Sequence, residues 1–564
     1  MSESTIATEA LPRAADVRSN ERSASSATNP ATMRIPGRLQ SQLEIEEASE
    51  APAINDESNI VYPTGRNLWL TVASLMLTCV TYGVDLPIVA AAIPSLTDHF
   101  KSIKDIGWYS AAYGLVGSAV TFFWARSYTI WPVKYVYMAS IIVFEVGALV
   151  ATVAPTSPMF ILGRAISGCG GSGMGSGLFI VLTHLFPSGK RPTWVGILMM
   201  FQIGTMATAP LIGGALIDTF NWRACFGINL PLGTLALVLV WFGFKSPVIN
   251  PDESLPLKEK LVKLDPLSTL VFIPSIVCLL LALQWGGLTY SWHSVRIILL
   301  FIIFGITILA FAYRQYRQQE NAMLPPRVLK NRSILAAAWF GACCEGTLSL
   351  TEYYITIYFQ GVRGFRAFRS GYLMVPMIIG ISLASLGAGF ATTLVGYYMP
   401  FMLATSILSP IATGLLTTLD LQTDLPKVLA LLGFTGAAIG IGLTAPHSAV
   451  ATVLSIKDVP IGMGIIGFVS RLLSAIFIST SATLFQNRLF AEVSLRVPEQ
   501  NVTTLRNTGL SELRAVIGPD NLRDVLLGYG EAVSQTLYLP VALTALSLVG
   551  SLSMEWRSVK KKTA

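Results

Sequence analysis

Fourteen separate stretches of this chain are long, apolar and nearly free of charge. Each is close to the ~20 residues that an α-helix needs to cross the hydrocarbon core of a bilayer. Lipid offers the backbone no hydrogen-bond partner, so only helices or closed barrels span it, and these stretches are too apolar for barrel strands. The sequence therefore predicts an all-α integral membrane protein.

The predicted spans form three groups along the chain. The first group of six covers 69–92, 106–125, 135–154, 160–183, 194–217 and 225–244. A pair follows at 267–285 and 296–313. The second group of six covers 335–359, 371–390, 395–417, 428–450, 461–484 and 536–554. This order predicts 14 transmembrane helices arranged six, two, six.

The connections complete the predicted domain organisation. The first residues are rich in Ser, Ala, Thr and Glu without apolar periodicity, which predicts a disordered cytosolic tail at 1–66. The remaining segments are a six-helix bundle at 67–244, a linker with two extra spans at 245–334, a six-helix bundle at 335–555 with a long extracellular loop at 485–535, and a basic cytosolic tail at 556–564.

Composition excludes a water-soluble protein, because 52% of residues are hydrophobic and only 13% are charged. The net charge of +7 fits basic cytosolic loops without any nucleic-acid motif. The six cysteines lie in predicted spans without metal-ligand spacing, and neither a Walker loop nor a catalytic triad is present. We therefore expect a monomeric membrane protein that is not an enzyme and that holds no cofactor or metal.

The distribution of Lys and Arg predicts the topology. Short connections and the C-terminal tail carry 18 on one side of the membrane against 8 on the other, which places both termini in the cytosol. The glycosylation sequon at Asn501 then lies on the outer side, where it is usable. We expect the plasma membrane to be the location, with a vacuolar or vesicular membrane as the alternative.

Three charged residues fall inside the first six predicted spans: Asp85, Glu145 and Arg164. A charge at mid-bilayer costs about 2.5 to 3.5 kcal/mol on insertion scales, so such residues usually face the bundle interior and have a partner. One interpretation is a protonatable carboxylate, Asp85 or Glu145, whose proton affinity is tuned by burial and by Arg164. Proton binding and substrate binding would then compete. The alternative is a static structural ion pair.

The second group of spans offers candidates for a substrate cavity. Glu345 and Glu352 are seven positions apart, which places them on one face of a helix with ~3.6 residues per turn. Together with Tyr354 they suggest a cavity for a cationic or hydrogen-bonding ligand. Alternatively, Glu352 and the tyrosines form an aromatic belt at the membrane interface. The further polar candidates are Gln202, Gln360 and Arg471.

The fourth and fifth spans are rich in small residues, as in SGCGGSGMGSG and IGTMATAPLIGGAL. Small residues allow helix backbones to approach closely. Pro210, followed by Gly213 and Gly214, is also able to bend the fifth helix at a gate. Close packing and gating are compatible interpretations.

Several segments carry a family resemblance. They include DHFKSIKDIGWYSAAYGL, FILGRAISGCGGSGMGSG, APLIGGALIDTFNWRACFGINLPLG and YYITIYFQGVRG. Over about 69–560 the chain resembles the major facilitator superfamily, in its fourteen-span drug:proton antiporter branch, and is most similar to fungal efflux pumps for toxins and secondary metabolites. The resemblance implies two six-helix bundles that rock about a central site, and efflux driven by protons rather than ATP.

The resemblance also implies roles for individual residues. It assigns Arg164 to proton coupling, and it assigns an antiporter gate to Gly204, Pro210, Gly213 and Gly214. In the gating motif after the second span, Ala125 replaces the usual glycine, although Arg126 and Lys134 keep the charge. The thirteenth span has SRLLSAI, which contains Arg471, where the family has a glutamine and a glycine pair.

The leading functional prediction is a secondary active exporter of a small amphipathic organic molecule in exchange for protons. A proton-coupled importer, such as a siderophore carrier, is a second transporter hypothesis, and the antiporter-like APLIGG segment argues against it. A non-transporting membrane sensor with the same fold is a third. The charges retained within the spans argue against the sensor.

Overall fold

The computed structural model describes residues 62–85, 87–100, 105–245, 255–286, 290–319, 322–365, 367–496 and 519–560. Within these ranges the regular structure is helical, apart from two isolated β-bridges, as predicted. The predicted tail before residue 62 and the sequon at Asn501 lie outside the described residues.

The N-terminal group of helices contains α1 (Gly65–Asp85), α2 (Ile88–Phe100), α3 (Ile106–Ala119), α4 (Thr121–Ile130), α5 (Val133–Val153), α6 (Ser157–Leu185), α7 (Arg191–Thr219), α8 (Trp222–Gly227) and α9 (Asn229–Gly243). The middle helices are α10 (Leu257–Lys263), α11 (Pro266–Trp285), α12 (Val295–Gln318) and α13 (Pro326–Leu329). The C-terminal group contains α14 (Arg332–Ile357), α15 (Ala367–Leu373), α16 (Val375–Val395), α17 (Met399–Leu416), α18 (Leu425–Leu443), α19 (Ala445–Val453), α20 (Val459–Arg496), α21 (Pro519–Thr536) and α22 (Tyr538–Ser553).

The structure confirms only part of the 14 predicted spans. In the described part of the chain, 12 helices are long and apolar enough to cross a bilayer, and a thirteenth results if a pair bent by 40° counts as one. That pair consists of Ser188–Ala209 and Leu211–Ile217, so the bend falls at Pro210, as the sequence predicted. The side chain of Pro210 itself lies outside the described residues.

The second predicted span, 106–125, is not one helix. It is divided into α3 and α4 at Val120, whose φ of −97° and ψ of 3° leave the helical range. The resulting helices have 14 and 10 residues, and neither alone reaches the length of a span. The single long helix predicted there is therefore wrong.

The predicted loop at 485–535 is also partly helical. The helix α20 continues to Arg496, and α21 begins at Pro519. The sequence did not predict the extension of α20 or the helix α21, because these segments are more polar than the neighbouring spans. Residues 497–518, between the two helices, lie outside the described residues.

Aromatic side chains join the three parts of the chain. The Phe122 ring on α4 lies 5.3 Å from Phe272 on α11 and 4.9 Å from Phe468 on α20. Phe272 in turn lies 4.8 Å from Phe311 on α12. Phe122, Phe272 and Phe311 belong to a large buried apolar cluster, and Phe468 packs against it, which stabilises the contact between the N-terminal group, the middle helices and the C-terminal group.

Glycines allow α6 to pack closely against its neighbours, as the small-residue pattern predicted. A Cβ added to Gly170 would fall inside contact distance of the Phe144 backbone on α5, and one added to Gly168 would overlap the Tyr113 backbone on α3. The helix is almost entirely enclosed by protein. In contrast, α12 exposes apolar side chains such as Ile306 and Leu309, which suits contact with lipid.

Candidate functional site

Asp85 and Arg164 form an ion pair in the interior of the N-terminal group. Arg164 Nη1 lies 2.7 Å from Asp85 Oδ2, and both side chains have 0% exposure. Arg164 Nε also donates to the backbone oxygen of Tyr109 over 3.1 Å. The structure thus brings together two of the three charged residues predicted in this half.

Asn229 completes the site, and sequence reasoning did not select it. Its Nδ2 donates to Asp85 Oδ1 over 3.1 Å, so each carboxylate oxygen of Asp85 has its own donor. The rings of Tyr113 and Phe226 lie 4.8 and 5.6 Å from the Arg164 guanidinium carbon. The available signal was a single amide in the apolar run GINLPLG. Because these groups exclude water, the pair is held in an apolar environment.

Glu145 lies near this site without joining it. Both of its carboxylate oxygens are buried, and neither has a hydrogen-bond partner among the described residues. The carboxylate packs against Gly233 on α9, where even a Cβ would overlap it. Arg164 is bonded to Asp85, so Glu145 is a second acidic group placed close to the ion pair.

Arg471 joins the two helix groups. It lies on α20, and its Nη2 donates to the Tyr82 hydroxyl over 3.2 Å. Its Nη1 donates to Thr121 Oγ1 over 3.3 Å and to Ser172 Oγ over 3.4 Å. These three acceptors belong to α1, α4 and α6, so one guanidinium contacts three helices of the N-terminal group.

Glu345 and Glu352 are both exposed on α14, so neither carboxylate is enclosed in the packed core. Glu345 contacts the Ser470 hydroxyl and lies within electrostatic reach of Arg471. Glu352 borders an open depression of about 460 Å³, together with Ser349 and Tyr353.

The other predicted cavity residues lie in different environments. Tyr354 is fully buried, and its hydroxyl donates to Ser481 Oγ over 3.1 Å, so it lies in the core and not on an accessible surface. Gln360 is half-buried within a π-helical turn, Tyr358–Val362, that follows α14. Gln202 is half-buried on α7.

The predicted gating residues make varied contacts. Arg126 Nε donates to the Lys263 oxygen over 3.0 Å, which ties α4 to the end of α10. Lys134 Nζ donates to the Trp241 oxygen over 2.7 Å. Gly213 packs closely on α2, because an added Cβ would lie 2.8 Å from Ile88 Cγ1.

Gly204 and Gly214 differ from Gly213. An added Cβ at either position would have no neighbour within 4 Å. Helix packing therefore does not require a glycine at these two sites.

The two groups also meet at one end of the structure, which we call the terminal face and define by Arg191, Thr193, Thr393 and Ala451. Arg191 Nη1 donates to the Ala451 oxygen over 3.2 Å, and the Thr193 hydroxyl donates to Thr393 over 2.8 Å. Tyr62, the first described residue, contacts Arg191 at the same face. The two groups are therefore in direct contact there.

At the opposite end, several hydrogen bonds stay within one group. Arg223 donates to the Ala154 oxygen inside the N-terminal group, and Arg363 donates to the Leu421 oxygen inside the C-terminal group. The Tyr358 hydroxyl likewise donates to the Asp420 oxygen. Each group is thus held together at this end by its own bonds.

The sequence matches known transporters along most of its length. The model of the Major Facilitator Superfamily matches residues 73–478. Efflux pump roqT of Penicillium rubens is 39% identical over 521 residues, which cover 92% of this chain and 96% of the pump. MFS-type efflux pump MFS1 of Arthroderma benhamiae is 37% identical over 519 residues, covering 92% and 97%. MFS-type transporter astH of Aspergillus oryzae is 37% identical over 510 residues, covering 90% of each chain.

Solved structures share the fold at low sequence identity. The human organic anion transporter MFSD10 superposes with a TM-score of 0.53 at 12% identity, covering 86% of this chain and 100% of that one. The proton:xylose symporter XylE bound to 6-bromo-6-deoxy-D-glucose gives a TM-score of 0.53 at 12% identity, covering 86% and 94%. The chain therefore belongs to the major facilitator superfamily, and it is a membrane transporter rather than an enzyme.

Proposed function

We propose that this protein exports a small amphipathic organic compound, such as a toxin, drug or fungal secondary metabolite, in exchange for protons. The observation that carries the proposal is the enclosed site formed by Asp85, Arg164 and Asn229. A carboxylate that is fully buried inside a membrane protein and bonded to an arginine is suited to bind and release a proton. The direction of transport is supported by relatives that are named efflux pumps and that align along about nine-tenths of the chain.

Proton binding acts through the ion pair. A proton on Asp85 removes the negative charge that holds Arg164, which leaves a buried guanidinium without its counter-ion. Such an uncompensated charge is strongly unfavourable in an apolar environment, so the surrounding helices rearrange or the proton leaves. The two protonation states of Asp85 therefore favour different arrangements of α1 and α6. Glu145 is a second proton acceptor close to this pair.

The proposed cargo space lies between the two helix groups. Glu345, Glu352 and Arg471 supply its polar groups, with Gln202 and Gln360 at its margin. The cargo's apolar parts contact the neighbouring side chains, and a few polar groups orient it. Gly204 and the bend at Pro210 form part of the gate on α7, together with Gly213 and Gly214. Arg126 and Lys134 anchor the loop that contains the gating motif.

The proposed architecture keeps 14 spans in the order six, two, six, with α3 and α4 together forming the second span. The six-helix bundles cover 67–244 and 335–555, and the extra pair lies in 245–334. Both termini are in the cytosol, which makes the terminal face the cytosolic face. The structure then represents a state closed to the cytosol, and rocking of the two bundles gives alternating access.

The protein is proposed to act as a single chain in the plasma membrane. One proton moving down a membrane potential releases ~2.3 kcal/mol per 100 mV, and a pH gradient adds to this. Each ~1.4 kcal/mol supports a tenfold concentration ratio, so one or two protons suffice for strong accumulation outside.

The experiment is an efflux assay in a pump-deficient yeast that expresses the full chain. Cellular accumulation of a panel of fungal metabolites is measured with and without a protonophore, and an Asp85→Asn variant at equal surface abundance is the control. We expect lower accumulation of at least one compound, and we expect both the protonophore and Asp85→Asn to remove the effect. Export that ignores the protonophore would contradict proton coupling. Uptake in place of efflux would support an importer.

A further inference from the structure

Arg471 forms a polar bridge between α20 of the C-terminal group and three helices of the N-terminal group. Its acceptors Tyr82, Thr121 and Ser172 all carry neutral hydroxyl groups and all belong to the N-terminal group. The bonds are long, at 3.2 to 3.4 Å. The hydrogen bonds of this guanidinium are therefore weak enough to break during a transport cycle. They exist only while the two groups are in contact.

Separation of the groups would leave Arg471 without these acceptors inside the membrane. A charge there needs another partner. Glu345 is the acidic residue within electrostatic reach, and it lies on α14 of Arg471's own group. Arg471 thus has hydrogen-bond partners across the contact and, in its own group, an acidic residue that attracts it electrostatically. This is the arrangement of a contact that exchanges partners during a transport cycle.

Tyr113 links this bridge to the ion pair. Its ring lies 4.8 Å from the Arg164 guanidinium carbon, and its hydroxyl is buried without a hydrogen-bond partner among the described residues. The charged or polar groups that interact electrostatically with the hydroxyl are Asp85, Tyr82, Arg164 and Arg471. The same helix, α3, provides the Tyr109 oxygen that accepts from Arg164. A shift of Arg164 therefore changes the contacts of Tyr113, which also interacts electrostatically with Arg471.

We propose that Arg471 is a positioning residue that transmits the state of the Asp85–Arg164 site to the contact between the two helix groups. The inference rests on the proposed proton coupling. Loss of the Asp85 charge displaces Arg164, Tyr113 follows, and the hydroxyl groups around Arg471 change position. Arg471 then leaves the N-terminal group and pairs with Glu345, which allows the terminal face to open.

Other titratable groups also face these two sites. Glu145 lies near Asp85 from α5, and Tyr109 and Tyr113 face Arg164 from α3. Around Arg471, Tyr82 lies on α1 and Glu345 on α14. In tests of pH dependence, the Arg471 and Tyr113 variants are therefore compared with the background protein, and all other titratable groups stay unchanged.

The test measures distances across the terminal face. Spin labels are placed at Lys190→Cys and Ser455→Cys in the full chain in lipid nanodiscs, after the half-buried Cys169 and Cys278 are replaced by serine. The unsubstituted background should show mainly a short distance. Arg471→Gln should increase the long-distance population about tenfold, because it removes hydrogen bonds from a charged donor.

Two further variants make the comparison specific. Arg471→Lys keeps the charge but loses the forked geometry, so it should give a long-distance population between those of the background protein and Arg471→Gln. If Arg471→Gln does not fold, Arg471→Lys replaces it in the comparison. Arg296→Gln is the matched control, because Arg296 on α12 donates to Tyr290 in the connection between α11 and α12, and neither residue belongs to the two helix groups. Equal distributions in Arg471→Gln and Arg296→Gln would overturn the proposal.

The transmission step is tested by pH. Acidification should increase the long-distance population in the background protein, and Arg471→Gln and Tyr113→Phe should both abolish that response. A response that survives in Arg471→Gln would overturn this inference while leaving proton coupling intact. A background protein that exports its cargo without a protonophore effect and shows no response to pH would instead overturn the proposed function.

Discussion

Asn229 donates a hydrogen bond to Asp85 over 3.1 Å, although the two residues are 144 positions apart in sequence. Arg164 holds the other carboxylate oxygen. The site is therefore built from α1, α6 and α9, and each helix supplies one polar side chain. Both oxygens of Asp85 have a donor, so a proton that binds Asp85 removes the negative charge that both donors stabilise.

Asn229→Leu should impair coupled transport. The variant keeps a similar volume but leaves Asp85 Oδ1 without its donor, and a hydrogen bond to a charged group is worth about 1.5 to 3 kcal/mol. We expect the initial rate of cargo export under an imposed pH gradient to fall about tenfold or more. Asn229→Asp should be more severe, since it adds an acidic group beside Asp85. A wild-type rate in Asn229→Leu would contradict a role for the amide.

The Asp85–Arg164 pair should show strong coupling in a double-mutant cycle. Arg164→Gln alone leaves a buried carboxylate and Asp85→Asn alone leaves a buried guanidinium, each of which destabilises by about 3–5 kcal/mol. The double variant removes both charges and should recover much of this loss. Thermal unfolding of the purified proteins in detergent measures the stability. All three variants should nevertheless fail in proton-driven export.

Additive losses of stability would instead indicate that the two side chains are independent in the folded protein. Recovery of both stability and export in the double variant would point to the static structural role that the sequence left open. The cycle thus separates the contribution of the pair to folding from its contribution to transport.

The sequence predicted the helical class and most helix positions because apolar length is a local property. It did not predict the break at Val120, since the segment 106–125 is apolar throughout and the break depends on tertiary contacts. One such contact joins the hydroxyls of Thr121 and Ser172 over 3.0 Å. The extension of α20 from residue 485 to Arg496 and the helix α21 were missed for the opposite reason, because they are polar and hydropathy does not identify polar helices.

The candidate site was predictable only in part. Charged residues within apolar spans are conspicuous, which identified Asp85, Glu145, Arg164 and Arg471. The partner of Arg164 could not be predicted, because the first six spans contain two acids and one base. Asn229 carries no charge and was therefore overlooked, and the burial of Tyr354 depends on which face of α14 meets its neighbours. Side-chain partners are fixed by tertiary packing, which spacing alone does not reveal.

Glycines in α6 and α7 should respond differently to alanine. At Gly170 an added Cβ would overlap the Phe144 backbone, and overpacking of this kind costs about 1–3 kcal/mol. At Gly204 the space is open, and alanine should increase helix stability by up to about 1 kcal/mol. We therefore expect Gly170→Ala to lower the unfolding temperature and Gly204→Ala to preserve or raise it.

A transport assay of Gly204→Ala distinguishes a role of this glycine in gating from a role in helix packing. If the glycine serves a gate, export should fall in Gly204→Ala although the protein is fully stable, because the stiffer helix bends less easily. Normal export together with unchanged stability would show that this glycine is dispensable. Both quantities can be measured on the same preparation.

Closure of the terminal face should depend on two glycines at the crossing of α7 and α16. A Cβ added to Gly196 would lie 2.8 Å from the Ser385 oxygen, and one added to Gly389 would lie 3.1 Å from the Gly196 Cα. A larger residue therefore cannot be accommodated while the helices are in contact. Gly389→Leu should hold the two groups apart at this face without disturbing the interior of either group.

Thiol accessibility provides the measurement. A cysteine at Thr193, which lies beside this crossing, should react with a membrane-impermeant reagent at least about tenfold faster in Gly389→Leu, since helix overlap excludes solvent from it in the closed state. Gly387→Leu is the matched control on the same helix, because an added Cβ there has no neighbour within 4 Å. If both variants leave the thiol equally protected, the crossing tolerates a large residue and the glycines do not set the closed state. Faster labelling in Gly389→Leu alone would tie closure of this face to the close approach of α7 and α16.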